Sequence, residues 1–167
     1  MKIYAAKGRP SDNPLIVHVS SPEEAESIAY TTELYYALAE RFMPGPLTVI
    51  LPTKNTVPAG VTGGLDTVAV RCPAHPVANE LIRRAGVPIA APSANRSGCP
   101  SPTTAEHVLR DMDGRIEMIL DGGPCEIGLE STVIRLTADG CEILRPGAVT
   151  EFMLAEATGF DLDRDIK

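Results

Sequence analysis

The chain has 167 residues, 44% of them hydrophobic, with 22 acidic against 15 basic side chains and a net charge of −7. That length holds one domain with a real core and no comfortable second one, and the acidic balance argues against a broad duplex-binding face, which needs clustered Lys and Arg. Four scattered cysteines (Cys72, Cys99, Cys125, Cys141) without a C-x-x-C pair, no apolar run of membrane-spanning length and no signal-peptide core predict buried thiols, a reducing compartment and a cytoplasmic chain off the membrane.

Residues 15–19 are apolar and β-branched and predict a strand. Ser21-Pro22-Glu23-Glu24 has the form of a capping box with Pro at the first helical position, so a helix is expected toward Tyr30. Apolar spacing predicts a helix over 33–42, stopped by Pro44-Gly45-Pro46, and a strand over 47–51. Residues 55–64 read as loop, 67–71 as a strand, 75–85 as a helix closed by Gly86, and 88–91 as a buried strand. A polar loop then runs to Pro102, where Thr103-Thr104-Ala105-Glu106 opens a helix to Met112. Residues 118–120 read as a strand stopped by Asp121-Gly122-Gly123. Residues 131–136 and 141–145 form a hairpin around Ala138-Asp139-Gly140. Thr150 caps a last helix ending near Gly159, and 161–167 reads as a charged, frayed tail or linker. Alternating strands and helices with a late hairpin give an α/β fold on a mixed sheet.

Two segments carry candidate chemistry. In Lys7-Gly8-Arg9-Pro10-Ser11-Asp12-Asn13-Pro14 the prolines favour extended chain, which would point Lys7 and Arg9 the same way and suit a polyphosphate. The same residues also suit a solvated basic turn. Ala91-Pro92-Ser93-Ala94-Asn95-Arg96-Ser97-Gly98 leaves the end of a strand, where open α/β sheets place ligands. Its Ser and Asn can equally satisfy their own backbone. Ser101 precedes a helix N-terminus, a place for anion contacts. Arg71, Ser131 and Arg145 stand at strand ends, and His18 ends an apolar strand. His18, His75 and His107 have no metal-ligand spacing. No Walker loop, G-x-G-x-x-G or nucleophile triad is present.

In order, Lys7-Gly8-Arg9-Pro10, Pro44-Gly45-Pro46-Leu47-Thr48, Thr67-Val68-Ala69-Val70-Arg71-Cys72-Pro73, Ala91 to Gly98, Leu120-Asp121-Gly122-Gly123-Pro124-Cys125, Glu130-Ser131-Thr132-Val133 and Arg145-Pro146-Gly147 resemble the YrdC-like threonylcarbamoyl-AMP synthase family over about residues 3–150. The resemblance implies an α/β, YrdC-like open twisted mixed β-sheet with flanking helices. It divides the chain into a nucleotide- and threonine-binding domain at 1–150 and, at 151–167, a C-terminal helix and the start of a linker, as in members with a second domain. It implies a nucleotidyltransferase that joins ATP, L-threonine and bicarbonate into threonylcarbamoyl-adenylate and pyrophosphate. The downstream transferase machinery then uses that product to modify tRNA. Carried over, Lys7 and Arg9 would be catalytic. Lys7, Arg9, Asn13, Thr67, Ser93, Asn95, Ser101 and Arg145 would bind ATP, and His18, Arg71, Ala91 and Ser131 would surround threonine. Mg²⁺ would come with ATP, held by phosphate oxygens and not by a protein cage.

Family members carry, upstream of the Lys-x-Arg motif, a strand and helix with a Pro-Thr-Glu-Thr-x-Tyr-Gly-Leu segment. That first strand–helix segment is not matched here, so the domain is expected to be incomplete at its N-terminus. An unpaired sheet edge, exposed apolar helix faces, self-association and weak synthase activity are then expected. Three alternatives stay open: a non-catalytic RNA-binding module, a remnant that binds nucleotide without turnover, and a carbamoyl-adenylate-forming domain like those of hydrogenase maturation proteins.

Overall fold

The computed structural model describes residues 2–138 and 140–159. In chain order these are helix α1 (Lys2–Lys7), strand β1 (Ile16–His18), a 3₁₀ segment (Pro22–Ser27), α2 (Glu33–Phe42), β2 (Leu47–Pro52), α3 (Ala59–Thr62), β3 (Thr67–Arg71), α4 (Pro76–Ala85), β4 (Ile89–Ala91), α5 (Ala105–Met112), β5 (Thr132–Thr137), β6 (Gly140–Arg145) and α6 (Glu151–Thr158). The strands form one mixed sheet in the order β4-β1-β3-β2-β5-β6. β1–β3 and β2–β5 are parallel, and β1–β4, β2–β3 and β5–β6 antiparallel.

Alternation along the strands divides the sheet into two unlike faces. Val17, Val49, Leu51, Val68, Val70 and Ile134 point to one side and are buried there with Tyr35 and Leu38 of α2 and Leu154 of α6. The other side carries the polar strand residues and is only half covered. Helix α2 is amphipathic because apolar residues recur every three to four positions, and Thr32 caps it by accepting the Tyr35 N–H at 3.2 Å. Helix α6, capped by Thr150, lies against α2, so residues 151–158 complete the same core.

Several expectations fail for local reasons. The start of the chain is helical, not extended: α1 ends in a left-handed Gly8 (φ 62°), with the Arg9 N–H reaching back to the Tyr4 carbonyl at 3.0 Å. Lys7 and Arg9 therefore leave a turn and do not share one side of an extended segment. Ser21 makes no side-chain cap, and Glu24 instead accepts from the Ser20 N–H (2.8 Å) and hydroxyl (2.6 Å), leaving a 3₁₀ turn in place of the predicted helix. Residues 59–62 are helical within the predicted loop. Strand β4 is a half-buried edge strand, not a core one. Residues 118–120 form no strand, and Met118 and Leu120 are exposed. Of the cysteines expected to be buried, Cys72 is, whereas Cys99 and Cys125 are exposed. The turn residue Asp139 and the tail at 161–167 lie outside the described residues. Among the described residues no helix is long and apolar enough to cross a membrane.

Candidate active site on the open face of the sheet

The register builds a single row across the open face. His18 pairs with Ile89 and with Arg71, Arg71 with Thr48, Thr48 with Val133, and Val133 with Arg145. Paired residues point to the same side, so one row crosses all six described strands and brings His18, Arg71 and Arg145 onto one surface.

Each group in the row is held by the backbone beside it. The His18 ring Nδ1 lies 3.3 Å from the Ile89 carbonyl, and Arg71 Nε donates to the Gly45 carbonyl at 3.2 Å. Arg145 forks onto Ser131, donating from Nη2 to its carbonyl at 2.9 Å and its hydroxyl at 3.1 Å, and from Nε to the same carbonyl at 3.1 Å. The Ser131 hydroxyl sits 2.7 Å from that of Thr48, both buried. Burial, then the neighbouring Arg145 charge, lowers the Arg71 pKa, and burial, then Arg71, lowers that of His18. Positive charge is thus concentrated on this face, and among the described residues no carboxylate bridges to Arg71 or Arg145. Such a face suits an anionic ligand.

A second cluster lies where β1 begins and β4 ends, which the Ile16–Ala91 pairing brings together. The Lys7 ammonium, buried under α1, donates to the carbonyls of Ser93 and Asn95 and lies 3.5 Å from Asn95 Oδ1. Burial, then repulsion from Arg9, lowers its pKa. Arg9 reaches the carbonyls of Pro14 (2.9 Å) and Asn13 (3.4 Å), just ahead of β1. Asn95 is buried, while Ser93 and Asn13 are exposed. From residue 91 back to residue 89, opposite His18, the strand rises by ~7 Å, and Ser93 lies two residues beyond its end. Ala91 lies between, small enough to leave the surface open.

Ser101 joins through Glu130, donating its hydroxyl to the carboxylate at 2.7 Å. That bond, and more weakly the Arg145 charge, lowers the Glu130 pKa. Thr67 begins β3, paired with Pro52, on the same face as Arg71 and at the end of the sheet where Ile16 meets Ala69, the side of the Lys7 and Ser93 cluster. Thr48, Glu130 and Asp111, whose carboxylate holds the Arg96 N–H, were not recognised from sequence. Thr48 did carry a signal, as the single hydroxyl in the apolar run Leu47–Pro52. Two shallow depressions, one between α1 and residues 115–117 and one around residues 53–66, lie away from the cationic row.

The family model of Sua5, YciO and YrdC proteins, described as telomere recombination, matches residues 1–147. The chain is 54% identical over 160 residues to a threonylcarbamoyl-AMP synthase of Bacillus subtilis, covering 95% of this chain and 46% of that protein. It is 56% identical over 149 residues to one of Pyrococcus abyssi, covering 89% and 44%. The crystal structure of P. abyssi Sua5 complexed with L-threonine matches with a TM-score of 0.91 at 53% identity, over 95% of this chain and 47% of that one. The chain therefore spans less than half the length of these relatives. With the mixed open sheet in place and the match running through both clusters, the chain belongs to the Sua5/YciO/YrdC family.

Proposed function

We propose that this chain carries the nucleotide and amino-acid site of an L-threonylcarbamoyladenylate synthase. The observation that carries the reading is the row of His18, Arg71 and Arg145 on one open face, adjoining the Lys7, Ser93 and Asn95 cluster. Relatives named threonylcarbamoyl-AMP synthase, and one crystallised with L-threonine, support the substrate class.

In this reading threonine lies along the row, its carboxylate facing Arg71 beside His18, with Ala91 and Ser131 bounding it. Its amine and bicarbonate condense to a carbamate with loss of water. A carbamate oxygen then attacks the α-phosphorus of ATP, and the bond to pyrophosphate breaks. Arg9, Asn13, Ser93, Asn95, Ser101 and Arg145 would hold the nucleotide, and Thr67 would contribute at the margin. Lys7 would act from beneath, by fixing the loop and adding positive charge. The chemistry needs positioning and charge neutralisation more than a nucleophile. Mg²⁺ would enter on the phosphates of its substrate. The threonylcarbamoyl group would then pass to tRNA through a separate transferase in the cytoplasm.

Calorimetric titration tests this. ATP should bind, threonine should bind, and Arg71→Ala should weaken threonine by about 10- to 100-fold while sparing ATP. A chain that binds neither ligand would sink the proposal. Pyrophosphate release that requires both threonine and bicarbonate, measured on a protein of the relatives' full length, tests the chemical step.

A further inference from the structure

The backbone of residues 93–97 is gripped from two helices. From α1, the Lys7 ammonium takes the carbonyls of Ser93 and Asn95, and the Lys7 carbonyl accepts the Ser97 N–H at 2.8 Å. From α5, the Asp111 carboxylate accepts the Arg96 N–H at 3.1 Å. Asn95 closes the loop from within, its Nδ2 donating to the carbonyls of Cys99 (2.7 Å) and Arg96 (3.0 Å). Three of these contacts come from α1 and one from α5, and together they hold the peptides 93–94, 95–96 and 96–97.

Asp111 is an unexpected residue where it stands. It occupies the last turn of α5, next to Met112. A carboxylate there faces the negative end of the helix dipole, which favours cations. The helix dipole gives Asp111 no support there, and the contact it makes leads to the loop. Its charge also counters part of the burial and Arg9 repulsion that depress the Lys7 pKa, so it helps keep the opposite jaw protonated.

We propose that Asp111 is a positioning residue for the nucleotide: by holding the Arg96 N–H opposite Lys7, it fixes the loop that presents Ser93 and Asn95. This rests on the reading of that loop as a nucleotide site. Three proteins decide it: wild type, Asp111→Ala, and Asp111→Asn, which keeps an oxygen acceptor without the charge. Amide hydrogen exchange at Arg96 and Ser97 is followed without ligand, and affinities for ATP and for threonine are measured separately alongside the melting temperature. Asp111→Ala should speed Arg96 exchange and weaken ATP, each by about tenfold, with threonine affinity unchanged. Asp111→Asn should recover most of both. Unchanged Arg96 exchange overturns the proposal, as does a loosened loop with undiminished ATP affinity. So does a loss of ATP and threonine affinity in step with the melting temperature. A wild-type chain that binds no ATP overturns the functional reading instead, and the exchange comparison then decides whether the clamp exists.

Discussion

Ser131 joins three parts of the fold: its carbonyl and hydroxyl receive Arg145, and its hydroxyl meets that of Thr48 in a buried contact. Ser131→Ala strands the Thr48 hydroxyl without that partner and should cost about 1–3 kcal/mol, read from urea unfolding. Thr48→Val combined with Ser131→Ala should cost less than the sum of the two single changes, because the stranded hydroxyl is then gone as well. Additive costs would show that the pair is not coupled. His18 gives a pH dependence with a definite sign. Burial and Arg71 favour its neutral ring, so its folded pKa lies below the ordinary 6.5. The unfolded chain therefore takes up this proton first as pH falls. The stability contribution is complete above about pH 6.5 and diminishes until pH has passed the lower folded value. Wild type should lose more urea stability between pH 7.5 and pH 5 than His18→Gln does; equal losses would remove His18 as the cause. As single letters, Arg71 and Arg145 were legible as cations ending apolar strands. Their meeting was not, because the row depends on pairings between strands far apart in the chain.

At the scale of elements, the turn after β6 is built around the absence of a side chain. A Cβ on Gly147 would lie 2.5 Å from the Glu130 carbonyl oxygen and 2.6 Å from the Thr132 nitrogen, both backbone atoms with little freedom to retreat. Gly147→Ala should destabilise by about 1–3 kcal/mol and push the start of β5 away from Arg145, so ligand affinity should fall along with stability. Retained affinity in a destabilised variant would separate the turn from the site. The same scale shows what sequence could reveal. Helix α2 and strand β3 have the predicted bounds because both are amphipathic segments with clear stops, Thr32 before and Pro44 after the first. Helix α5 begins one residue late because Thr104, not Thr103, accepts the capping N–H, from His107. Helix α1 was hidden behind two prolines that act only after Gly8. Residues 118–120 had the composition of a strand but found no neighbour to pair with, and no local pattern encodes that.

For the molecule as a whole, the acidic excess separates two of the family-level readings. An RNA-binding module would show affinity falling steeply with salt, with a slope set by the number of phosphate contacts. With a net charge of −7 and Arg71 and Arg145 as the cations of the row on its open face, this chain should bind RNA weakly and with a shallow salt slope in a filter assay. A steep slope would favour RNA as the ligand. Val77 and Leu81, one turn apart on α4, are both exposed. The middle of the sheet has a consequence in time. β2 lies parallel to β5, with Leu47 opposite Thr132 and Ile50 opposite Arg135, so its central seam closes only when a very long stretch of chain has been gathered. Loop closure of that length slows folding far more than it lowers stability. Refolding should be slow for a domain of this size. It should also be insensitive to changes in the intervening loop that carries Ser93 and Asn95, leaving that segment free to be tuned for ligands without endangering the route by which the sheet assembles.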